Sequence, residues 1–211
     1  MDLVHPDIDR YLAALADHGD PVLSEMERIG AEREFPIVGP QVGRLLEVAA
    51  RACGAKRVLE LGSGFGYSAY WFLRAVGADG TVFLTEGSPD RAREAEEFLT
   101  RGGFAGRFHV EVGDGLTIAD ALTGVFDVVF CDIDKHDYPK ALPLARRLLR
   151  VGGLFITDNM LWDGNVLAPP PDDRTTGGVV ELTRELYAAP DFVATLVPLR
   201  DGLTVAVKVA P

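Results

Sequence analysis

Val128-Val129-Phe130-Cys131-Asp132-Ile133-Asp134-Lys135-His136-Asp137-Tyr138 is the stretch on which the fold turns. Its four leading apolar residues, rich in β-branched and aromatic side chains, predict a strand buried on both faces. The strand gives way to a cluster of acids with Lys135 inside it, which places Asp132 at its carboxyl end. In open α/β sheets that edge is where ligands bind. About 25 residues on, space for one parallel crossover, Gly153-Leu154-Phe155-Ile156-Thr157 repeats the pattern and ends in Asp158-Asn159. Neighbouring strands of this kind bring Asp132, Asp158 and Asn159 to one point, and three oxygen ligands suit a hard divalent cation. A lone acid after a strand is more simply a helix N-cap or a solvated loop residue. Two clusters at matching strand ends favour a site.

Outward from this stretch, strand and helix alternate. Strands are predicted at Arg57–Leu61, Thr81–Glu86, Arg107–Glu111, Phe126–Asp132 and Gly153–Asp158. Helices fill the gaps at Tyr67–Val76, Pro89–Arg101, Thr117–Leu122 and Tyr138–Arg150, with an irregularity expected at Pro143. Such spacing requires right-handed crossovers and a parallel sheet. A loop rich in Trp, Gly and Pro then leads to a helix at Thr175–Ala188. Phe192–Leu199 and Leu203–Val209, joined by Arg200-Asp201-Gly202, read as an antiparallel hairpin. Upstream, Asp7 to His18 and Pro21 to Arg33 read as amphipathic helices split at Gly19-Asp20-Pro21. These N-terminal helices, within residues 1–35, are candidates for a lid or a dimer contact. Phe35 to Pro40 is a rigid connector, and Gln41 to Cys53 a helix closed by Gly54. The expected architecture is one doubly wound, Rossmann-like α/β domain over residues 1–211. Its seven-stranded sheet is mostly parallel, with the antiparallel hairpin last.

Composition narrows the function classes. A chain of 211 residues with net charge −11 is poorly suited to nucleic acid or an anionic membrane. The N-terminus has neither a basic segment nor an apolar core, so no signal peptide is expected, and no apolar run approaches a membrane span. Cys53 and Cys131 lie in apolar surroundings and read as buried thiols in a reducing cytoplasm. Of 21 basic residues only Lys56, Lys135, Lys140 and Lys208 are lysines. A lysine among the acids of the site therefore hints at a role arginine cannot fill, namely losing its proton.

Val58-Leu59-Glu60-Leu61-Gly62-Ser63-Gly64-Phe65-Gly66-Tyr67-Ser68 is a strand, a glycine-rich turn and a helix start. It is faulty as a dinucleotide fingerprint, because Tyr67 stands where the third glycine belongs. Glu60 near the turn would repel a pyrophosphate but suit a cationic ligand. Glu86, ending the second strand, suits the two hydroxyls of a ribose, and Asp114 an exocyclic adenine amine. All five parallel strands thus end at or near an acid: Glu60, Glu86, Asp114, Asp132 and Asp158. Such a set points to S-adenosylmethionine on the first three strands and a metal on the next two.

The chain resembles the metal-dependent catechol and caffeoyl-CoA O-methyltransferase family. The likeness is carried by Val58 to Gly62 with Gly66-Tyr67-Ser68, by Asp132 to Tyr138, and by Gly152-Gly153 through Asp158-Asn159-Met160-Leu161-Trp162-Asp163-Gly164. Asp201 to Ala206 adds to it, and coverage runs from about Val38 to Lys208. The resemblance implies metal ligands at Asp132, Asp158 and Asn159, with Mg²⁺ first and Mn²⁺ or Ca²⁺ as alternatives. It implies a catalytic base at Lys135, cofactor contacts at Val38, Glu60, Gly62, Ser68, Glu86, Asp114 and Asp132, and a homodimer. Two departures stand out: the small turn Ser63-Gly64-Phe65, and a proline-rich substrate loop from Ala168 to Arg174.

The expected reaction moves a methyl group from S-adenosylmethionine to one oxygen of a vicinal aromatic diol chelated by the cation. Lys135 takes the phenolic proton. Trp162 and Tyr138 are candidate walls for the flat ring, although ordinary packing explains each as well. His136 is expected to be an exposed neighbour of the site. The alternative is a nicotinamide-dependent oxidoreductase on the same fold, disfavoured by the missing glycine and the acids.

Overall fold

The computed structural model describes residues 4–170 and 172–211. The helices α1 (Pro6–Leu15), α2 (Pro21–Glu32) and α3 (Gly39–Ala52) precede strand β1 (Arg57–Leu61). Then come α4 (Tyr67–Val76), β2 (Thr81–Glu86), α5 (Pro89–Arg101), β3 (Phe108–Val112), α6 (Gly115–Ala121) and β4 (Phe126–Cys131). The rest is α7 (Tyr138–Leu148), β5 (Leu149–Thr157), α8 (Arg174–Ala188), β6 (Phe192–Val197) and β7 (Leu203–Lys208). Short 3-10 turns cover Lys135–Asp137 and Trp162–Leu167.

Seven strands form one sheet in the order β3-β2-β1-β4-β5-β7-β6, parallel from β1 to β5. β7 runs antiparallel to both β5 and β6, so the last pair is the expected hairpin. The apolar side chains divide between the two faces because successive strand residues point opposite ways. Val58 lies in the core under α2, α3, α4 and α5, with Met26, Leu46, Trp71 and Leu99. Leu59 and Leu61 lie in the core under α6, α7 and α8, with Ala119, Leu142 and Leu182. This is the doubly wound α/β arrangement that the alternation predicts.

Three expectations need correction or refinement. The helix expected to reach Arg150 stops at Leu148, and β5 begins at Leu149 rather than Gly153. Leu149 already pairs with Phe126, and a register shift between Phe126 and Val128 accommodates the early start. α7 runs through Pro143, which lies on its exposed face where water can satisfy the carbonyl that loses its partner. α2 belongs to the core, with Leu23 and Met26 fully buried, whereas α1 buries no residue and exposes Ile8, Tyr11 and Leu15. Elsewhere boundaries move by at most three residues, the largest shift being the end of α1 at Leu15 rather than His18. Cys131 is buried, Cys53 only half-buried, and neither forms a disulfide. Among the described residues no helix is long and apolar enough to cross a membrane.

Candidate active site

Register builds the site. Leu61 is level with Thr85 of β2 and Cys131 of β4, and Cys131 with Thr157 of β5. The next residue of each strand, Gly62, Glu86, Asp132 and Asp158, therefore stands in one row along the carboxyl edge of the sheet. Thr157 is also level with Thr204 of β7, which brings the Arg200–Gly202 turn to the same edge. A cleft of about 690 Å³ opens there, within the range of small-ligand sites. Gly62 must be glycine on two counts. Its φ is +80°, and a Cβ would lie 2.4 Å from the Asp132 carbonyl oxygen.

One end of the cleft holds the residues expected to take a nucleoside. Phe35, Val38, Gly64, Ser68, Glu86 and Asp114 line it. Glu86 is nearly buried; one carboxylate oxygen accepts from the Gly64 N–H at 2.9 Å. The other accepts from the Ser88 N–H and from Arg91 Nε, both at 2.8 Å. The glycine turn is thus bonded to the acid expected to take the ribose. Asp114 caps α6, accepting from the Thr117 hydroxyl and from the Thr117 N–H at 2.8 Å; the hydroxyl and then the N–H hold its carboxyl below the usual range.

Glu60 departs from its expected place. It is wholly buried beneath the glycine turn rather than on the cleft wall. The Ser63 hydroxyl donates to its carboxylate at 2.5 Å, and the Ser68 hydroxyl donates to its second oxygen. Burial pushes this carboxyl up to about 7, against the two serine hydrogen bonds that favour the ion. Glu60 reaches the cleft only through Ser63 and Ser68, which line it.

The other end gathers Asp132, Lys135, Asp158, Asn159 and Trp162. Lys135 Nζ donates to Asp132 Oδ1 at 2.6 Å and to the Ile133 carbonyl at 3.2 Å. Its ammonium lies 5.0 Å from the Tyr138 ring centre and 5.9 Å from that of Trp162, inside cation–π range. The backbone of this turn is clamped by α8, since a Cβ at Gly178 would lie 2.2 Å from the Lys135 carbonyl oxygen. Burial and then the Asp132 charge raise the Asp158 carboxyl. Asn159 Nδ2 donates to Asp201 Oδ2 at 3.1 Å, and the Asp163 N–H donates to Asp201 Oδ1 at 2.6 Å.

Among the described residues no group of three or more His, Cys, Asp or Glu side chains is placed to hold a metal. The donor set here is instead two carboxylates and a carboxamide, all oxygen, which fits Mg²⁺ or Mn²⁺. A cation between Asp132 and Asp158 would also relieve the repulsion that raises Asp158. His136 lies exposed at the rim, 3.3 Å from Asp137, and is not needed for such a set.

Tyr138 is a correction. It is fully buried and does not line the cleft, so it cannot wall a substrate ring. Its hydroxyl donates to the Asp158 carbonyl at 2.8 Å, and its ring supports the Lys135 ammonium from below. Trp162 does line the cleft. Sequence reasoning gave Asp201 no role in the site. An Asp-Gly pair between two strands is the ordinary signature of a hairpin turn, and the family resemblance of Asp201 to Ala206 carried no side-chain role with it. Arg91 and Phe35, which stack at 5.7 Å beside Glu86, were also unmarked.

The model of the O-methyltransferase family matches residues 14–209. The chain belongs to this family, whose members move a methyl group onto an oxygen. It is 36% identical over 170 residues to a catechol O-methyltransferase of Mycobacterium tuberculosis, covering 79% of this chain and 77% of that one. With a catechol O-methyltransferase of Niastella koreensis it shares 33% over 187 residues, 86% of this chain and 83% of the relative. Among solved structures, the O-methyltransferase TomG from Streptomyces achromogenes, in complex with SAM, superposes with a TM-score of 0.90 at 31% identity. That likeness covers 97% of this chain and 96% of TomG. The O-methyltransferase from Bacillus cereus, in complex with SAH, gives 0.88 at 27%, covering 96% and 97%. Membership in this family sets aside the nicotinamide-dependent alternative.

Proposed function

We propose that the protein transfers the methyl group of S-adenosylmethionine to one hydroxyl of a catechol-like vicinal diol, held by a divalent cation at Asp132, Asp158 and Asn159. The observation that carries this reading is one cleft with two chemically distinct ends. Glu86, Asp114 and the glycine turn form one; two carboxylates, a carboxamide and Lys135 form the other. The names of the relatives and the ligands of the solved neighbours support it.

When bound, S-adenosylmethionine supplies an electrophilic methyl carbon, and the cation, Mg²⁺ by donor set, lowers the pKa of the chelated diol. The chain's residues do the rest. Glu86 accepts from the ribose hydroxyls and Asp114 from the adenine amine. Val38 and Gly62 pack against the nucleoside end, and Asp132 borders both ends of the cleft. Ser68, backed by Glu60, faces the cationic end of the cofactor. Trp162 flanks the aromatic ring and orients it. Lys135, once released from Asp132 and after giving one ammonium proton to solvent, receives the phenolic proton at its neutral Nζ. A phenol has a pKa near ~10, so proton removal is part of the barrier at neutral pH.

The same reading places the enzyme in the cytoplasm as a homodimer, with the exposed apolar face of α1 available as a contact. Screening catechols, flavonoids and caffeoyl esters for methyl transfer, with and without chelator, tests the reaction. Transfer to monohydroxylated acceptors alone, unaffected by chelator, would overturn it.

A further inference from the structure

We propose that Asp201, in the turn between β6 and β7, is a positioning residue that turns the Asn159 side chain so that its carbonyl oxygen, not its amide nitrogen, faces the cation. The inference rests on the reading of Asn159 as a ligand. A carboxamide can coordinate a hard cation only through oxygen, yet its two ends have nearly the same shape. Something must select the rotamer. Asp201 can, because a carboxylate only accepts hydrogen bonds. The Asn159 group 3.1 Å from Asp201 Oδ2 is therefore the NH₂, and the carbonyl oxygen is left for the cleft that Asp132 and Asp158 share.

Asp201 is itself firmly placed. Its second oxygen accepts from the Asp163 N–H at 2.6 Å, and its carbonyl accepts from the Leu161 N–H at 2.8 Å. The neighbouring Gly202 carbonyl accepts from the Met160 N–H at 3.0 Å. On the other side Arg200 Nη1 donates to the Ile37 carbonyl at 2.9 Å. Asn159, Trp162 and Asp163 all have positive φ, of 57°, 46° and 51°. Non-glycine residues hold that conformation only where the surroundings over-determine it, and the hairpin turn provides that constraint. The bond spans 42 positions of sequence.

The chemistry gives a specific test. In Asp201→Asn the new side chain has one acceptor for two donors. The Asp163 N–H can only donate, so it keeps the carboxamide oxygen, and the new NH₂ faces Asn159. Asn159 then rotates its oxygen toward residue 201 and its NH₂ toward the cation. Mn²⁺ affinity of the full chain, measured by calorimetry, should fall about 10–100-fold, while S-adenosylmethionine affinity and the metal-free melting curve hold. Adding Asn159→Asp to Asp201→Asn restores an acceptor with an oxygen for the metal, and affinity should recover to within a few-fold.

Asn159→Ala, measured alongside, separates the two readings. If it weakens Mn²⁺ and Asp201→Asn does not, the inference is overturned and the ligand assignment stands. If the double variant binds Mn²⁺ no better than Asp201→Asn alone, the orienting role is overturned. If Asn159→Ala is without effect, or the wild type binds no Mn²⁺, the cation reading falls and the inference with it.

Discussion

Lys135 Nζ lies 2.6 Å from Asp132 Oδ1, so the proposed base and a proposed metal ligand form an ion pair within one turn. The pair is nearly buried on the lysine side, at 10% side-chain exposure. A cation that claims Asp132 competes with Lys135 for the same carboxylate. Site assembly and proton acceptance are then linked.

Lys135→Arg keeps the charge and removes the capacity to act as a base near neutral pH. Both Lys135→Arg and Lys135→Ala should lower kcat by about 10²–10⁴ at pH 7, with the loss shrinking as hydroxide takes over at higher pH. The measurement is kcat against pH at saturating metal and cofactor. Near-wild-type kcat for the arginine variant would leave Lys135 an electrostatic role only.

Chelator should abolish turnover while leaving S-adenosylmethionine binding largely intact, because Glu86 ends β2 and Asp114 follows β3, strands remote from β5. Asp158→Ala should do the same and resist rescue by millimolar Mg²⁺. Full turnover in chelator-treated protein would remove the cation from the mechanism.

Glu86→Ala should weaken S-adenosylmethionine by about 1.5–3 kcal/mol, the range for hydrogen bonds to a charged group. Glu86 also holds the Gly64 and Ser88 N–H groups, so a melting curve must accompany the calorimetry. Unchanged affinity in a folded variant would move the ribose elsewhere.

Tyr138→Phe tests the correction to the substrate wall. Losing the hydroxyl leaves the buried Asp158 carbonyl without this donor, at a cost of about 1–3 kcal/mol in stability. KM for the acceptor should change little, since the ring does not line the cleft. A large rise in KM with unchanged metal affinity would return Tyr138 to the substrate.

Glu60 makes stability pH-dependent. Burial raises its carboxyl to about 7 in the folded chain, above the ordinary 4.5, so between these the folded chain holds a proton that the unfolded chain has lost. The contribution is complete below about 4.5 and is lost as pH rises through about 7, a few kcal/mol at most. Denaturant unfolding from pH 4.5 to 8 should show this decline, and Glu60→Gln should flatten it. An identical slope in the variant would place the titration on another group.

Much of the fold and the site was legible because the signals are local. A run of apolar residues closed by acids marks a doubly buried strand and its carboxyl end. Its recurrence along the chain puts Glu86, Asp114, Asp132 and Asp158 on one edge, whatever the strand order, while Glu60 lies beneath it. Asp132, Asp158, Lys135, Glu86 and Trp162 were found this way and by resemblance, and all line the cleft.

What the sequence by itself determined was the kind of element each segment forms and the edge where chemistry gathers, because periodicity and turn residues act within a few positions. Tertiary structure alone decided which side chains face the cleft and which support it. Tyr138, three residues past Lys135, could have turned either way; packing under α8 buries it completely. Glu60 is on the strand face that α4 covers, so its carboxylate lies beneath two serine hydroxyls instead of open cleft. Asp201 meets Asn159 only because β7 inserts between β5 and β6 in the sheet. That pairing depends on long-range strand order, and no local pattern in the chain encodes it.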